Sequence, residues 1–267
     1  MGLKNQIYQR LPNRLKPIVQ VAYRQLLDED HESPEGCGFI NTFFDSEVEY
    51  RRLRGEVDNS DIRKIIEDAL EQYNDLTTEG AFGSIDLESV TAWYALVRKL
   101  RPSVIVETGV CNGVSTLFIL RALDENGNGR LYSVDYPYRA DESLDEFRDD
   151  TFGQYGGAAI PSDKGPGWII PENLRGRWEL RLGKSQVQLP PLLEELQEVD
   201  LFIHDSEHSH PCMMFEYEIV WHKMRNGGVI LSDDISWNSA FEVFCEVRDP
   251  VWGILGQNEN VGFMLKS

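Results

Sequence analysis

The sequence is short of basic residues. It has 26 Lys and Arg against 45 Asp and Glu, which gives a formal net charge of −19 at pH 7. A surface with that excess of carboxylates repels polyanions, so the composition argues against a sequence-independent grip on nucleic-acid phosphates. The chain length of 267 residues allows one main domain with a well-buried core.

Cysteine is scarce, and long apolar runs are absent. The four cysteines, Cys37, Cys111, Cys212 and Cys245, show no C-x-x-C spacing, which argues against a zinc ribbon and a disulfide framework. No apolar run reaches the roughly 18 residues that a membrane span requires. The N-terminus also lacks the apolar core of a signal peptide. We therefore expect a cytoplasmic protein with reduced thiols.

Basic charge is concentrated at the N-terminus, where five basic residues, at positions 4, 10, 14, 16 and 24, precede the first acid, Asp28. Apolar residues recur among them at near-helical spacing. Such an arm packs on its own acidic domain, packs on a second subunit of a homo-oligomer, or lies on an anionic membrane surface. The charged stretch 28–61 is typical of a loop. We assign residues 1–58 to the arm and charged loop region, and residues 59–267 to the main domain.

The rest of the chain alternates between helical and strand patterns. Two helices are predicted first, over "SDIRKIIEDALEQYNDL" and "DLESVTAWYALVRKL". Seven strand-like runs follow: "SVIVETG", "GRLYSVDYP", "RWELRLG", "VDLFIHD", "GGVILSDD", "VWGILG" and "VGFMLK". A helix over residues 215–225 precedes the fifth. The pattern predicts an α/β fold with an N-terminal helical extension and a Rossmann-like, doubly wound, mostly parallel sheet, which ends in an antiparallel hairpin.

Polar residues and glycines cluster after the predicted strands, where ligands bind in an open α/β sheet. The first strand runs into "ETGVCNGVST", in which Gly109 and Gly113 allow close backbone approach and a sharp turn into a helix. Asp135 ends the second strand, where a carboxylate can accept hydrogen bonds from ribose hydroxyls. Glu107 would repel a pyrophosphate and attract a cationic ligand. The E-x-G-x-x-x-G spacing therefore favours S-adenosylmethionine over a dinucleotide.

Together with "LYSVDYP", "LRLGKSQVQLPPLL", "VDLFIHDSEHSH" and "RNGGVILSDD", these motifs resemble the class I S-adenosylmethionine-dependent methyltransferases, over roughly residues 85–265. More narrowly, they resemble the branch with cation-dependent small-molecule and sugar O-methyltransferases. The resemblance implies a set of cofactor-binding residues: Glu107, Gly109, Gly113, Ser115, Asp135, Gly183 and Ser185. In that set Glu107 would lie near the amino group of the cofactor and Asp135 on its ribose. Lys184 stands where the family often has Asp near the adenine, which puts that contact in doubt.

The same resemblance gives a role to the acids and histidines after the fourth and fifth strands. It implies that Asp205, Asp233 and Asp234 bind a divalent cation such as Mg²⁺, that Asp205 is also catalytic, and that His208 is the base. A hydroxyl holds its proton far above neutral pH, so a cation that stabilises the alkoxide and an imidazole that takes the proton would both assist. The acceptor would then be a small-molecule hydroxyl, with a preference for a sugar or glycolipid precursor.

The long insert over residues 138–178 is typical of a lid beside a site. Within it, Trp168 is a candidate for contact with the acceptor, and an anchor for the loop is its structural alternative. Trp237, which follows the acidic pair, is a second candidate. His210 is a reserve for His208.

Three other functions stay open at this point. A metal-independent methyltransferase would use His208 as its only base. A nicotinamide-dependent oxidoreductase would use Asp135 equally well, although the glycine spacing and the closing hairpin argue against it. A non-catalytic relative would keep the fold only as a scaffold for a partner.

Overall fold

The computed structural model describes residues 38–76, 82, 86–143, 145, 147, 158–255 and 260–267. The basic N-terminal arm lies outside these residues, so its helix and its packing stay predictions, as does the boundary between residues 58 and 59. Among the described residues, no helix combines the length and the apolar character needed to cross a membrane.

The centre of the structure is a sheet of seven strands. They are β1 (Val104–Thr108), β2 (Arg130–Asp135), β3 (Trp178–Leu182), β4 (Val199–His204), β5 (Met224–Ser232), β6 (Val251–Leu255) and β7 (Val261–Leu265). Their order is β3-β2-β1-β4-β5-β7-β6. The first five strands are parallel, and β7 pairs antiparallel with both β5 and β6. The predicted fold, including its closing hairpin, is confirmed.

Eight described α-helices surround the sheet. They are α1 (Phe39–Phe43), α2 (Glu47–Gly55), α3 (Ile62–Leu76), α4 (Leu87–Leu100), α5 (Val114–Asn126), α6 (Ser185–Glu195), α7 (His210–Lys223) and α8 (Ala240–Arg248). The helix predicted over residues 215–225 is wrong in its last two residues. Met224 is extended there and begins β5, where it pairs with Val199 of β4.

The loop predicted over residues 28–61 is wrong where the structure describes it, because α1 and α2 occupy that stretch. Helix α1 buries Phe39 and Phe43, whose rings make edge contacts with Phe263 of β7 at centroid distances of 5.7 and 5.1 Å. Ser46 caps α2, which buries Tyr50. The prediction gave most weight to the many charged residues of this stretch, but these lie on the outer faces of short amphipathic helices.

The core has two layers, because successive strand residues point to opposite faces of the sheet. On one face Ile105 and Leu201 pack in a cluster that includes α1, α2, α4 and α5. On the other face Val106 and Phe202 pack against α6, α7 and α8. The central strands are buried on both sides, which explains why their sequences are continuous apolar runs without alternation.

A crevice opens where the chain connections diverge. Helix α5 follows β1 and covers one face of the sheet, whereas α7 follows β4 and covers the other. Because β1 and β4 are neighbours, the connections leave their shared end in opposite directions, which leaves room for a ligand at the carboxyl ends.

The packing of α1 gives a stability prediction. Phe43→Ala should lower the free energy of unfolding by about 3 kcal/mol, because it removes a buried ring that contacts the sheet. Val48→Ala, at a side chain that is 77% exposed on α2, should change it by less than about 0.5 kcal/mol. Urea unfolding of both variants measures the difference. Similar losses for both would contradict the assignment of α1 to the core.

Candidate active site

A cavity of about 580 Å³ lies at the carboxyl ends of the central strands. Most of the predicted site residues line it: Gly109, Ser115, Asp135, Gly183, Ser185, Asp205, His208, Asp233 and Asp234. The other predicted residues do not: Glu107, Gly113, Trp168, His210 and Trp237. The parallel sheet therefore brings together residues that are up to 125 positions apart in sequence, from Gly109 to Asp234.

The floor of the cavity is made by the close approach of the loops after β1 and β4. Gly109 has a φ of +86°, and a Cβ atom at this position would lie 1.8 Å from the carbonyl oxygen of Asp205. The backbone N–H of Asp205 donates to the carbonyl of Thr108 at 2.9 Å. Only glycine combines this conformation with this contact. Gly113, the residue before α5, has a φ of +100°, and a Cβ atom there would lie 2.7 Å from Cα of Gly167 in the insert.

Asp135 offers a free acceptor inside the cavity. Its Oδ1 accepts from the backbone N–H of Val110 at 3.2 Å, whereas its Oδ2 is buried without a hydrogen-bond partner among the described residues. Burial raises the pKa of Asp135 to about 6, and backbone N–H groups oppose that rise. A buried acceptor without a partner costs about 1–3 kcal/mol, so this atom is suited to a ligand that donates hydrogen bonds.

Glu107 lies below the cavity and does not line it. Its carboxylate is fully buried and accepts from the hydroxyls of Ser115 at 3.0 Å, Thr116 at 2.8 Å and Ser133 at 2.7 Å. Burial raises the pKa of Glu107 to about 7, although the three hydroxyls oppose the rise. Glu107 therefore links β1, β2 and α5 beneath residues 109–113, which we call the glycine loop.

Three carboxylates crowd the end of the cavity beside β4 and β5. Burial and the neighbouring charges of Asp233 and Asp234 raise the pKa of Asp205 well above its usual value. Burial, then the charge of Asp234, raises the pKa of Asp233 to about 7. Asp234 accepts from the amide of Asn260 through Oδ1. Within the described ranges, no group of three or more His, Cys, Asp or Glu is arranged to hold a metal ion.

His208 lies next to these acids. Its Nε2 is 3.3 Å from Oδ2 of Asp234, and its ring is 5.3 Å from that of His204 and 5.2 Å from that of Trp237. Burial, then the charge of His204, lowers the pKa of His208 to about 3. The imidazole is therefore neutral at physiological pH. Its Nδ1 is buried without a partner in the described part of the chain, so one ring nitrogen remains available.

A buried His204–Glu216 pair supports the same region, and sequence reasoning missed its acid. Glu216 of α7 bonds His204 Nδ1 at 2.7 Å, Thr108 at 2.6 Å and Ser206 at 2.9 Å. Burial would raise the pKa of Glu216, but His204 and the hydroxyls outweigh it and lower the value. The pattern held no signal for this contact, because an acid on an amphipathic helix is usually exposed.

Asn112 is a second residue that sequence reasoning missed. Its buried side-chain amide donates to the carbonyls of Phe82 and Ala159 and accepts from the indole N–H of Trp168. This bond ties Trp168 to the loop after β1. A role for Trp168 in acceptor binding stays a prediction. A polar residue between Gly109 and Gly113 was the available signal.

The two remaining acceptor candidates also lie outside the cavity. His210 is exposed as the first residue of α7. Trp237 is 42% exposed, with its ring against His208. Their roles in acceptor binding stay predictions.

Comparison with known proteins is consistent with this site. A family model described as a methyltransferase domain matches residues 106–235. An O-methyltransferase from Bacillus cereus, solved in complex with SAH, is 15% identical with a TM-score of 0.50, over 77% of this chain and 90% of its own. A putative caffeoyl-CoA O-methyltransferase from Staphylococcus aureus is 11% identical with a TM-score of 0.54, over 80% and 95%.

A third structure, the O-methyltransferase NovP, is 14% identical with a TM-score of 0.51, over 83% of this chain and 97% of its own. At these identities the likeness shows the fold. No curated protein matches the sequence.

The floor of the cavity gives a testable prediction. Gly109→Ala should lower the free energy of unfolding by about 3 kcal/mol or more, because it adds a clash with backbone to a strained φ. Gly127→Ala is the matched control, since its φ is +64° but a Cβ there meets no atom within 4 Å. It should cost about 1 kcal/mol. Chemical denaturation of both variants measures the values, and equal losses would show that the contact with Asp205 is unimportant.

Proposed function

We propose that this chain, whose residues 106–235 match a methyltransferase domain, is a class I S-adenosylmethionine-dependent methyltransferase that methylates a hydroxyl oxygen of a small molecule. The cofactor supplies a methyl group on a positively charged sulfur. The observation that carries the proposal is the free, buried oxygen of Asp135, which lines the same cavity as the bare backbone at Gly109. A ribose hydroxyl of the cofactor would donate a hydrogen bond to the free oxygen of Asp135, and the methionine part would lie along the backbone at Gly109.

Positioning is the main contribution expected from these residues. Methyl transfer is an in-line displacement, so the acceptor oxygen must be held opposite the sulfur, with water kept out. Gly109 and Asp205 are in direct backbone contact. The loop proposed to hold the cofactor therefore lies next to the loop proposed to hold the acceptor, which supports direct transfer between the two. The insert and α5 are joined through Gly113 and Gly167, which favours a fixed wall around the reactants.

We propose further that Asp205, Asp233 and Asp234 hold a divalent cation such as Mg²⁺. The chemistry of the donors supports this, because crowded carboxylates with raised pKa values are hard oxygen ligands that a cation would favour over a proton. Binding would require these side chains to rearrange, since no three such groups of the described residues are arranged to hold an ion. When bound, the cation would supply positive charge beside the acceptor hydroxyl. Asp234 is engaged by Asn260 and His208 in the structure.

A second candidate is methyl transfer without a metal. The contact between His208 Nε2 and Asp234 Oδ2 favours it, because a carboxylate that accepts from an imidazole fixes the tautomer and stabilises the protonated ring. His208 would take the acceptor's proton at Nδ1. Its low pKa makes it a weak base, so the proton transfer would depend on the charge of Asp234.

The acceptor end of the cavity is lined by three acids, Asp205, Asp233 and Asp234. This charge disfavours an anionic acceptor, and a hydroxyl-rich neutral molecule such as a sugar or a glycolipid precursor fits better. Membrane contact and assembly into a homo-oligomer through the basic N-terminal arm are part of this proposal, and they concern residues outside the described ranges.

The ribose contact gives the first functional prediction. Asp135→Asn should weaken binding of S-adenosylhomocysteine by about 10-fold at pH 8, because charge-assisted hydrogen bonds to hydroxyls are lost. The pKa of Asp135 is raised to about 6, so the native carboxylate is protonated as the pH falls through that value. Native and Asn affinities should therefore converge below pH 6. Calorimetric titration measures both. Binding of NAD with no response to S-adenosylhomocysteine would overturn the proposed function.

Metal dependence gives the second prediction. After treatment with EDTA, methyl transfer should fall by about 100-fold and recover with Mg²⁺, and Asp233→Asn should lose activity that Mg²⁺ cannot restore. Asp163→Asn, at an exposed acid of the insert, is the matched control and should remain active. Full activity in EDTA, combined with loss of activity in His208→Gln, would select the metal-free candidate.

A further inference from the structure

The position of the adenine follows from the contact between two strand ends. The backbone N–H of Gly183, which follows β3, donates to the carbonyl of Asp135 at 2.9 Å. The next residues, Lys184, Ser185 and Gln186, also line the cavity. A nucleoside with its ribose on Asp135 therefore has its base directed toward residues 183–186. This step rests on the proposed function.

The side chain of Lys184 cannot accept a hydrogen bond from the 6-amino group of an adenine. The 6-amino group is a donor, and an ammonium has three donors and no acceptor. Its Nζ lies 5.5 Å from the ring centroid of Tyr136, an arrangement typical of a cation above an aromatic face. An acceptor for the 6-amino group must come from another residue.

Glu207 supplies such an acceptor at the same end of the cavity. Its Oε1 is buried and has no hydrogen-bond partner among the described residues. The charge of Lys184 and the hydroxyl of Ser209 lie near the same carboxylate. Ser209 is itself fixed, because its Oγ caps α7 by accepting from the N–H of Cys212 at 3.3 Å.

Gln186 is the competing acceptor. Its amide nitrogen donates to Sγ of Cys212 at 3.2 Å, which ties the side chain to α7. The Glu207 carboxylate oxygen has no such contact, and leaving a charged acceptor buried without a partner is costly. This difference favours Glu207.

We propose that Glu207 recognises the adenine of the cofactor by accepting a hydrogen bond from its 6-amino group, in place of the acid that is missing at Lys184. Glu207 is then a specificity-determining residue for the nucleoside. The carboxylate selects a base that donates at position 6, and it contributes to cofactor affinity without touching the reacting atoms.

The experiment compares two ligands by calorimetric titration: S-adenosylhomocysteine and the analogue with purine in place of adenine, which lacks the 6-amino group. The native protein should bind the analogue about 10-fold more weakly or worse, because the carboxylate loses its donor. In Glu207→Ala the two ligands should bind within about 2-fold of each other, since the pairwise interaction is gone. Glu207→Gln keeps an acceptor and should retain a smaller difference.

One variant serves as a control. Glu198→Ala, at an exposed acid before β4, should keep the full 10-fold difference. The inference is overturned if the native protein does not discriminate between the ligands, or if Glu207→Ala leaves the discrimination intact. It is also overturned if Gln186→Ala alone removes it. Absence of any S-adenosylhomocysteine binding to the native protein would instead reject the proposed function, and this inference with it.

Discussion

The contact between Gly109 and Asp205 is the constraint on which the site depends. It joins the ends of β1 and β4 at the point where the helical connections diverge. Gly109 also donates its N–H to the carbonyl of Val134, and Asp205 donates to Thr108, each at 2.9 Å. The three strand ends are thus fixed by backbone contacts alone. The positions of Asp135 and of the acids after β4 and β5 are consequences of sheet register, so the site is built on the central strands of the sheet.

The burial of several acids in one cavity lowers the stability of the folded state. Asp135, Asp205 and Asp233 all have pKa values raised by burial. An acid whose pKa is raised in the folded state lowers the stability of that state progressively as the pH rises from the ordinary pKa of the unfolded chain to the raised value, so these groups oppose folding at neutral pH. Ligands that donate hydrogen bonds or bring positive charge offset that cost. The His204–Glu216 pair, in contrast, is satisfied internally and helps to hold the end of β4 in place.

The sheet, its hairpin and nine of the residues that line the cavity could be predicted from sequence, because apolar runs and the residues that follow them have regular consequences in a parallel sheet. Asp135 and Asp205 are examples. The rest depends on contacts that no local pattern encodes. Glu107 resembles a ligand-binding acid, yet three hydroxyls from other elements enclose it. Residues 39–55 contain many charges, and only tertiary burial of Phe39 reveals the helices.

Asn112 has a consequence for how this protein could be rebuilt. One amide links the glycine loop to Phe82, which precedes α4, and to Ala159 and Trp168 in the insert. Three segments distant in sequence therefore share a single set of hydrogen bonds. A chimera that exchanged the insert alone would leave this amide without matching groups. An experiment that transfers acceptor preference from a relative would have to exchange all three segments together. We also expect the sequences of the three segments to covary among relatives.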